Sequence, residues 1–216
     1  MNEKKSAAGG GPLIFVAPNG ARKTKSEHPE IPVSVPEIVA TAQACFAAGA
    51  NGIHAHVRDK NGEHVLDAGL YLELLGEMKL QVPEMAVQIT TEAVDRYSPI
   101  EQRDLVRKVK PKLVSIALRE MFEDDDLQAV SRFYYEMREQ DTEIQHIVYS
   151  AAEFSKLVKL TMLGSIPARG KSVLFVLGRY GDNQQSQPEM LEPFLSVLGG
   201  LRLAQSWRFM TCAFGV

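Results

Sequence analysis

The chain has 216 residues, 45% of them hydrophobic and 24% charged, with a formal net charge of −3. That balance fits one globular domain of α/β-barrel size and excludes the broadly basic surface that nucleic-acid or membrane-surface binding needs. No run approaches the ~18 apolar residues of a membrane span. Cys45 and Cys212 stand far apart with no metal or redox spacing, as reduced thiols of a cytoplasmic protein do.

Residues 1–11 are polar, lysine-bearing and glycine-rich and predict a disordered tail. Residues 12–216 form one domain. Pro12–Ala17 reads as a strand closed by the turn signal Pro18-Asn19-Gly20. Pro36–Ala48 follows as a helix entered through Ser34 and Pro36-Glu37 and ended by Gly49. Gly52–Val57 is the second strand and Asp67–Leu80 the second helix. Met85–Thr90 is a strand, and Pro99–Lys108 a helix with an acidic start and a basic end that suit the helix dipole. Strand Leu113–Leu118, helix Asp124–Glu139, strand Ile144–Tyr149 and a helix around Ala152–Leu160 come next. Strand Ser172–Leu177, helix Pro188–Leu198 and strand Trp207–Ala213 complete the series. A sustained β-α alternation with short connections implies a parallel sheet covered by helices. About seven βα units favour a TIM (β/α)8 barrel over an open dinucleotide-binding sheet, and no Gly-x-Gly-x-x-Gly follows the first strand.

The second strand carries the most informative motif, His54-Ala55-His56-Val57-Arg58-Asp59. Residues two apart in a strand share a face, so both imidazoles leave the same side of the sheet. That arrangement suits one metal ion, with Zn²⁺ the usual partner of imidazole. A barrel builds its active site at the C-terminal ends of its strands. Those ends supply Asn19, Arg22, Lys23 and Lys25; His54, His56, Arg58 and Asp59; and Gln88, Thr90, Thr91 and Glu92. Later ends supply Ser115, Arg119 and Glu120; His146, Tyr149 and Ser150; and Arg179 and Tyr180. Strand ends meet solvent and are often polar, so Arg119, Glu120 and Arg179 read equally as ion-paired rim residues. Taken together, two histidines hold a Lewis acid, small hydroxyls hold a carboxylate or carbonyl, and mouth cations suit an anionic substrate. That set suits enolate chemistry beside a carbonyl.

The stretches Asn19 to Lys25, His28 to Pro32, Ala48-Gly49-Ala50, His54 to Asp59 and Asn61-Gly62 resemble the β-keto acid cleavage enzymes, also described as 3-keto-5-aminohexanoate cleavage proteins. The similarity continues through Gln88 to Thr91, Ser115 to Glu120, Val176-Leu177-Gly178-Arg179 and the strand at Trp207. The resemblance implies a homo-oligomeric TIM barrel with one divalent metal, usually zinc. It implies condensation of a small-molecule β-keto acid with acetyl-CoA, giving acetoacetate and a new acyl-CoA. By the same resemblance His54 and His56 hold the metal, while Thr90 and Ser115 hold the keto-acid end. Arg58, Arg22 and Glu92 line the substrate site. Arg22 stands where the aminohexanoate-cleaving relatives carry an acidic residue, which predicts an anionic or neutral-polar far end unless Glu92 cancels the arginine. The resemblance also implies an eighth strand bearing a Gly-Gly-His-x-Arg-x-Gly-x-Glu type segment. That strand supplies a metal-binding glutamate and the arginine proposed as base. The 216 residues do not contain it, so the barrel is expected to be C-terminally incomplete, the catalytic base to lie beyond Val216 and turnover to be very low. Two other readings are a catalytically inactive metal-binding barrel and a metal-dependent hydrolase. The hydrolase would use a His-x-His pair at its first strand and further histidines, for which only His146 is a candidate.

Overall fold

The computed structural model describes residues 12–124, 126–168, 171–178, 185–199 and 207–213. The expected tail and the strand-end residues Arg179 and Tyr180 lie outside them. Seven strands occur among the described residues: β1 (Phe15–Val16), β2 (Gly52–Ala55), β3 (Ala86–Thr90), β4 (Leu113–Ala117), β5 (Glu143–Val148), β6 (Lys171–Leu177) and β7 (Trp207–Ala213). They pair in chain order and every pair is parallel. The helices are α1 (Val35–Ala47), α2 (Ala68–Gln81), α3 (Pro99–Val109), α4 (Leu118–Met121), α5 (Leu127–Glu139), α6 (Ala151–Met162) and α7 (Glu192–Gly199). None is long and apolar enough to cross a membrane.

Local chemistry sets the helix starts. Ser34 and Ser98 each accept from the backbone N–H three residues on, while Glu37 and Glu101 reach back to the cap. Proline stands in the first turn of both α1 and α3, where its missing N–H costs no bond. Asp67, Asp126 and Ser150 cap α2, α5 and α6 through their side-chain oxygens. Lys25 and the turn's backbone N–H groups hold the Glu37 carboxyl down at about 2.

Several boundaries differ from the sequence pattern, most of them by one to three residues. β1 is reduced to two residues, and β2 stops at Ala55, so His56 lies just beyond the ladder. There Asn19 replaces the ladder: its Oδ1 accepts from His56 N at 3.2 Å and its Nδ2 donates to His56 O at 2.7 Å. Leu118, expected in the fourth strand, begins α4 instead. The last helix is preceded by a 3₁₀ turn, Pro188–Leu191. Gly52 has a packing reason: a Cβ there would lie 2.4 Å from the Phe15 ring, which seats β1 against β2.

The sheet curls into a barrel wall. Gln88 on β3 donates to Gln145 on β5 at 3.2 Å, reaching over the face of β4. A flat sheet places those strands about twice 4.8 Å apart, and a concave inner face draws the two side chains together. His54, Gln88, Gln145 and Ser172 mark that inner face. The outer face packs on helices, with Phe175 (β6) 5.1 Å from Phe154 (α6) and 4.6 Å from Phe194 (α7) between ring centroids. The main apolar core therefore lies between sheet and helices, while the inner face carries these polar side chains among apolar ones such as Leu113.

Candidate active site

His54 and His56 meet as the strand period requires: their Nε2 atoms are 3.1 Å apart. The opposite nitrogen of each ring has a defined partner. His54 Nδ1 lies 2.8 Å from Gln88 Oε1, and His56 Nδ1 lies 3.4 Å from Nδ1 of His64. Burial pushes the His54 imidazole below its ordinary value and that of His64 down to about 4, so both are neutral near pH 7. Neutral imidazoles are the ligand form for a metal. Two Zn–N bonds of ~2.0–2.1 Å at a near-tetrahedral angle separate their nitrogens by roughly 3.3 Å, close to the spacing here. The pair therefore fits a divalent cation. Among the described residues no group of three or more His, Cys, Asp or Glu side chains is arranged to hold one. The Glu92 carboxylate comes nearest, with Oε2 3.9 Å from His56 Nε2.

His64 has no counterpart in the sequence reading. It reaches the site because the chain doubles back after Arg58. Asp59 Oδ1 accepts from Asn61 N and Glu63 N, both at 2.9 Å, and Gly62 takes φ +81°, a conformation that favours glycine. A single antiparallel bridge then sets His64 against Arg58. The Asp59-Lys60-Asn61-Gly62 turn is the signal that places residue 64 beside residue 56.

The remaining candidates divide by what they touch. Arg58 is buried, and its guanidinium donates to the carbonyls of Gly62, Asn19, Gly20 and Lys23 at 2.8–2.9 Å. It clamps the loop after β1, the loop that carries Arg22. Thr90 is buried, with Oγ1 accepting from Glu92 N at 3.1 Å. Its own carbonyl accepts from Tyr71 Oη at 3.1 Å. Ser115, paired with Thr90 across β3 and β4, is fully buried, and its Oγ has no hydrogen-bond partner among the described residues. Arg22 is exposed at the mouth, 4.0 Å from Glu92 and 3.7 Å from Asp95. His54, His56, Glu92 and Arg22 thus form one continuous series, with Thr90 and Ser115 on the adjacent strands.

Other strand-end residues are structural. Arg119 pairs with Glu153 and lies 4.4 Å from the Tyr149 ring centroid, as a rim residue does. Glu120 accepts from Ala93 N and Gln102 Nε2. His146 is within β5, not at its end, and faces the helices: its ring stacks on Tyr134 of α5 at 5.3 Å. That placement removes the histidine on which a hydrolase site depended. His146 and Tyr134 line a cavity of about 600 Å³ at the N-terminal side of β5, away from the paired histidines.

A curled parallel β/α wall with paired imidazoles at the end of its second strand is the site architecture of a barrel enzyme. Residues 12–216 match the beta-keto acid cleavage enzyme family, and the chain belongs to it. A 3-keto-5-aminohexanoate cleavage enzyme of Fusobacterium nucleatum is 32% identical over 79 residues, covering 37% of this chain and 29% of that protein. A 3-oxoadipate:acetyl-CoA acetyltransferase of Cupriavidus necator is 28% identical over 105 residues, covering 49% of this chain and 36% of that protein. The matches span about a third of the length of these curated relatives. The crystal structure of 3-dehydroquinate dehydratase from Geobacillus kaustophilus superimposes with a TM-score of 0.63 at 9% identity, covering 96% of this chain and 76% of that one. That likeness is one of fold, the TIM barrel.

Proposed function

We propose that the protein is a divalent-metal-dependent β-keto acid cleavage enzyme. It condenses a β-keto acid with acetyl-CoA and releases acetoacetate and a new acyl-CoA. The observation that carries the metal part is the convergence of the His54 and His56 Nε2 atoms at 3.1 Å. Zn²⁺ or a similar ion held there supplies a Lewis acid for the keto oxygen. Family membership and the acetyl-CoA named in the C. necator relative support the reaction class.

The chain's own residues take the remaining roles. Thr90 and Ser115 offer hydroxyls to the carboxylate and carbonyl of the substrate, and the Ser115 Oγ, without a partner among the described residues, suits that task. Arg58 holds the loop after β1 in place through the three carbonyls of Asn19, Gly20 and Lys23 and so presents Arg22. Arg22 keeps its two carboxylate neighbours beyond the ~2.8 Å of a direct charge-assisted bond. It is left to meet the far end of a substrate, which we assign as anionic: a β-keto diacid, the class to which the 3-oxoadipate in the relative's name belongs. The reading includes a cytoplasmic homo-oligomer whose partners are small molecules.

The test is acetyl-CoA-dependent acetoacetate formation, with kcat/KM compared between 3-oxoadipate and 3-keto-5-aminohexanoate. The diacid is the expected better substrate, and Arg22→Glu is expected to reverse the preference. An unchanged preference in that variant removes the charge argument. A chain that binds Zn²⁺ yet forms no acetoacetate from either substrate supports the inactive metal-binding barrel.

A further inference from the structure

We infer that Tyr71 is a positioning residue: its hydroxyl is wedged between the ends of β2 and β3 and holds open the gap that separates His56 from Thr90. The use of that gap rests on the cleavage reading above; the wedge itself rests on strand register and hydrogen bonds.

The register shows what the wedge replaces. β2 and β3 pair as far as Ala55 opposite Ile89. In a parallel ladder the next bond would run from the Val57 N–H to the Thr90 carbonyl. Tyr71, on α2 and fully buried, takes that place. Its hydroxyl donates to Thr90 O at 3.1 Å and accepts from the Val57 N–H. Two contacts in series therefore span what one N–H···O bond of ~2.9 Å would close. Past that point the strands part. Val57 O accepts from Val65 N at 3.2 Å, and Glu92 N turns back to Thr90 Oγ1 at 3.1 Å.

The opposite flank of β2 is bridged in the same way, since His56 N and O both bond the Asn19 side chain. The segment bearing His56 is thus held by side chains on both flanks, at a width that their length sets rather than the ~4.8 Å of paired strands. Thr90 lies two residues from Gln88 on β3 and so shares its inward face. The widened gap therefore lies between the paired imidazoles and the hydroxyl assigned to the acid end of the substrate, where a β-keto acid needs room. Phenylalanine would fill the same space in the core. The two bonds of the hydroxyl are what keep the strand ends from zipping together.

Two measurements test this. Through-hydrogen-bond ¹⁵N–¹³C′ couplings in the unaltered chain report whether Val57 N bonds the Thr90 carbonyl directly. No such coupling is expected, together with a slowly exchanging Tyr71 hydroxyl proton close to the Val57 amide. A direct Val57–Thr90 coupling overturns the wedge. In Tyr71→Phe the ring is kept and the strand ends are free to close. The direct coupling is then expected to appear, and kcat/KM for 3-oxoadipate with acetyl-CoA to fall ~10–100-fold, the scale of an ångström-sized misplacement. The loss is expected in KM, with kcat within about twofold, because the space for the substrate narrows while the reacting groups stay. A tyrosine with only a structural role would lower stability and leave KM alone, so an unchanged KM overturns the positioning role. If the unaltered chain cleaves neither 3-oxoadipate nor 3-keto-5-aminohexanoate, the cleavage reading fails, and the couplings still decide the wedge.

Discussion

His146 provides a direct test of how the outer face of the barrel is built. Its ring is buried against Tyr134, its Nδ1–H donates to Ser172 O at 3.2 Å, and its Nε2 has no partner among the described residues. Burial pushes the imidazole down to about 4 from an ordinary 6.5. The folded state therefore resists a proton that the unfolded chain takes up. Below pH ~6.5 the unfolded chain binds more protons, so stability falls with pH until the folded group also titrates near pH 4. At 1.36 kcal/mol per pKa unit the full loss is about 3 kcal/mol, and between about pH 7 and about pH 5 it is roughly 2 kcal/mol. Urea unfolding followed by fluorescence reads this directly, because Trp207, the chain's single tryptophan, lines the same cavity. His54 and His64 are buried neutral too, so the contribution of His146 is taken as wild type minus His146→Gln. The variant is expected to lose roughly 2 kcal/mol less than wild type over that interval. Identical pH dependence in the two proteins would refute the placement of His146 in the helix-facing layer.

Other substitutions probe the framework of the site. Arg58→Ala strands four carbonyls that the guanidinium now satisfies. It is expected to cost roughly 3 kcal/mol, or ~6–12 °C in Tm, and to speed amide exchange in residues 20–24; unchanged exchange there contradicts the clamp. Arg58→Lys is expected to recover little, because a single ammonium cannot span that set of acceptors. Ser98→Ala removes the cap of α3 and one half of its box with Glu101. A loss of about 1 kcal/mol by chemical denaturation is expected, and a neutral result would mean that Pro99 alone sets the helix start.

The barrel was legible because its signals are local. The Ser34-Val35-Pro36-Glu37 and Ser98-Pro99-Ile100-Glu101 starts are capping boxes, and alternation of apolar runs and amphipathic stretches gives the order of elements. The histidine pair was legible for the same reason, since a period of two fixes their common face. What was not legible depends on contacts distant in sequence. Gln145 matters because the sheet curls, bringing it to Gln88 57 positions away. His64 matters because a turn folds it onto His56, which no periodicity encodes. Arg58 sits at a strand end, where a cation suggests a substrate anion, yet its surroundings are carbonyls of its own chain. His146 lies between two inward-facing neighbours in β5, and only the strand register shows that it points the other way.

The most direct test of the central claim is metal content. Inductively coupled plasma mass spectrometry on the chain purified from Zn²⁺-supplemented medium is compared with the same measurement on His54→Ala/His56→Ala. About one divalent ion per chain in the parent, and none in the double variant, is the result that the converging nitrogens predict. Equal metal in both proteins, or none in either, contradicts a metal site at His54 and His56.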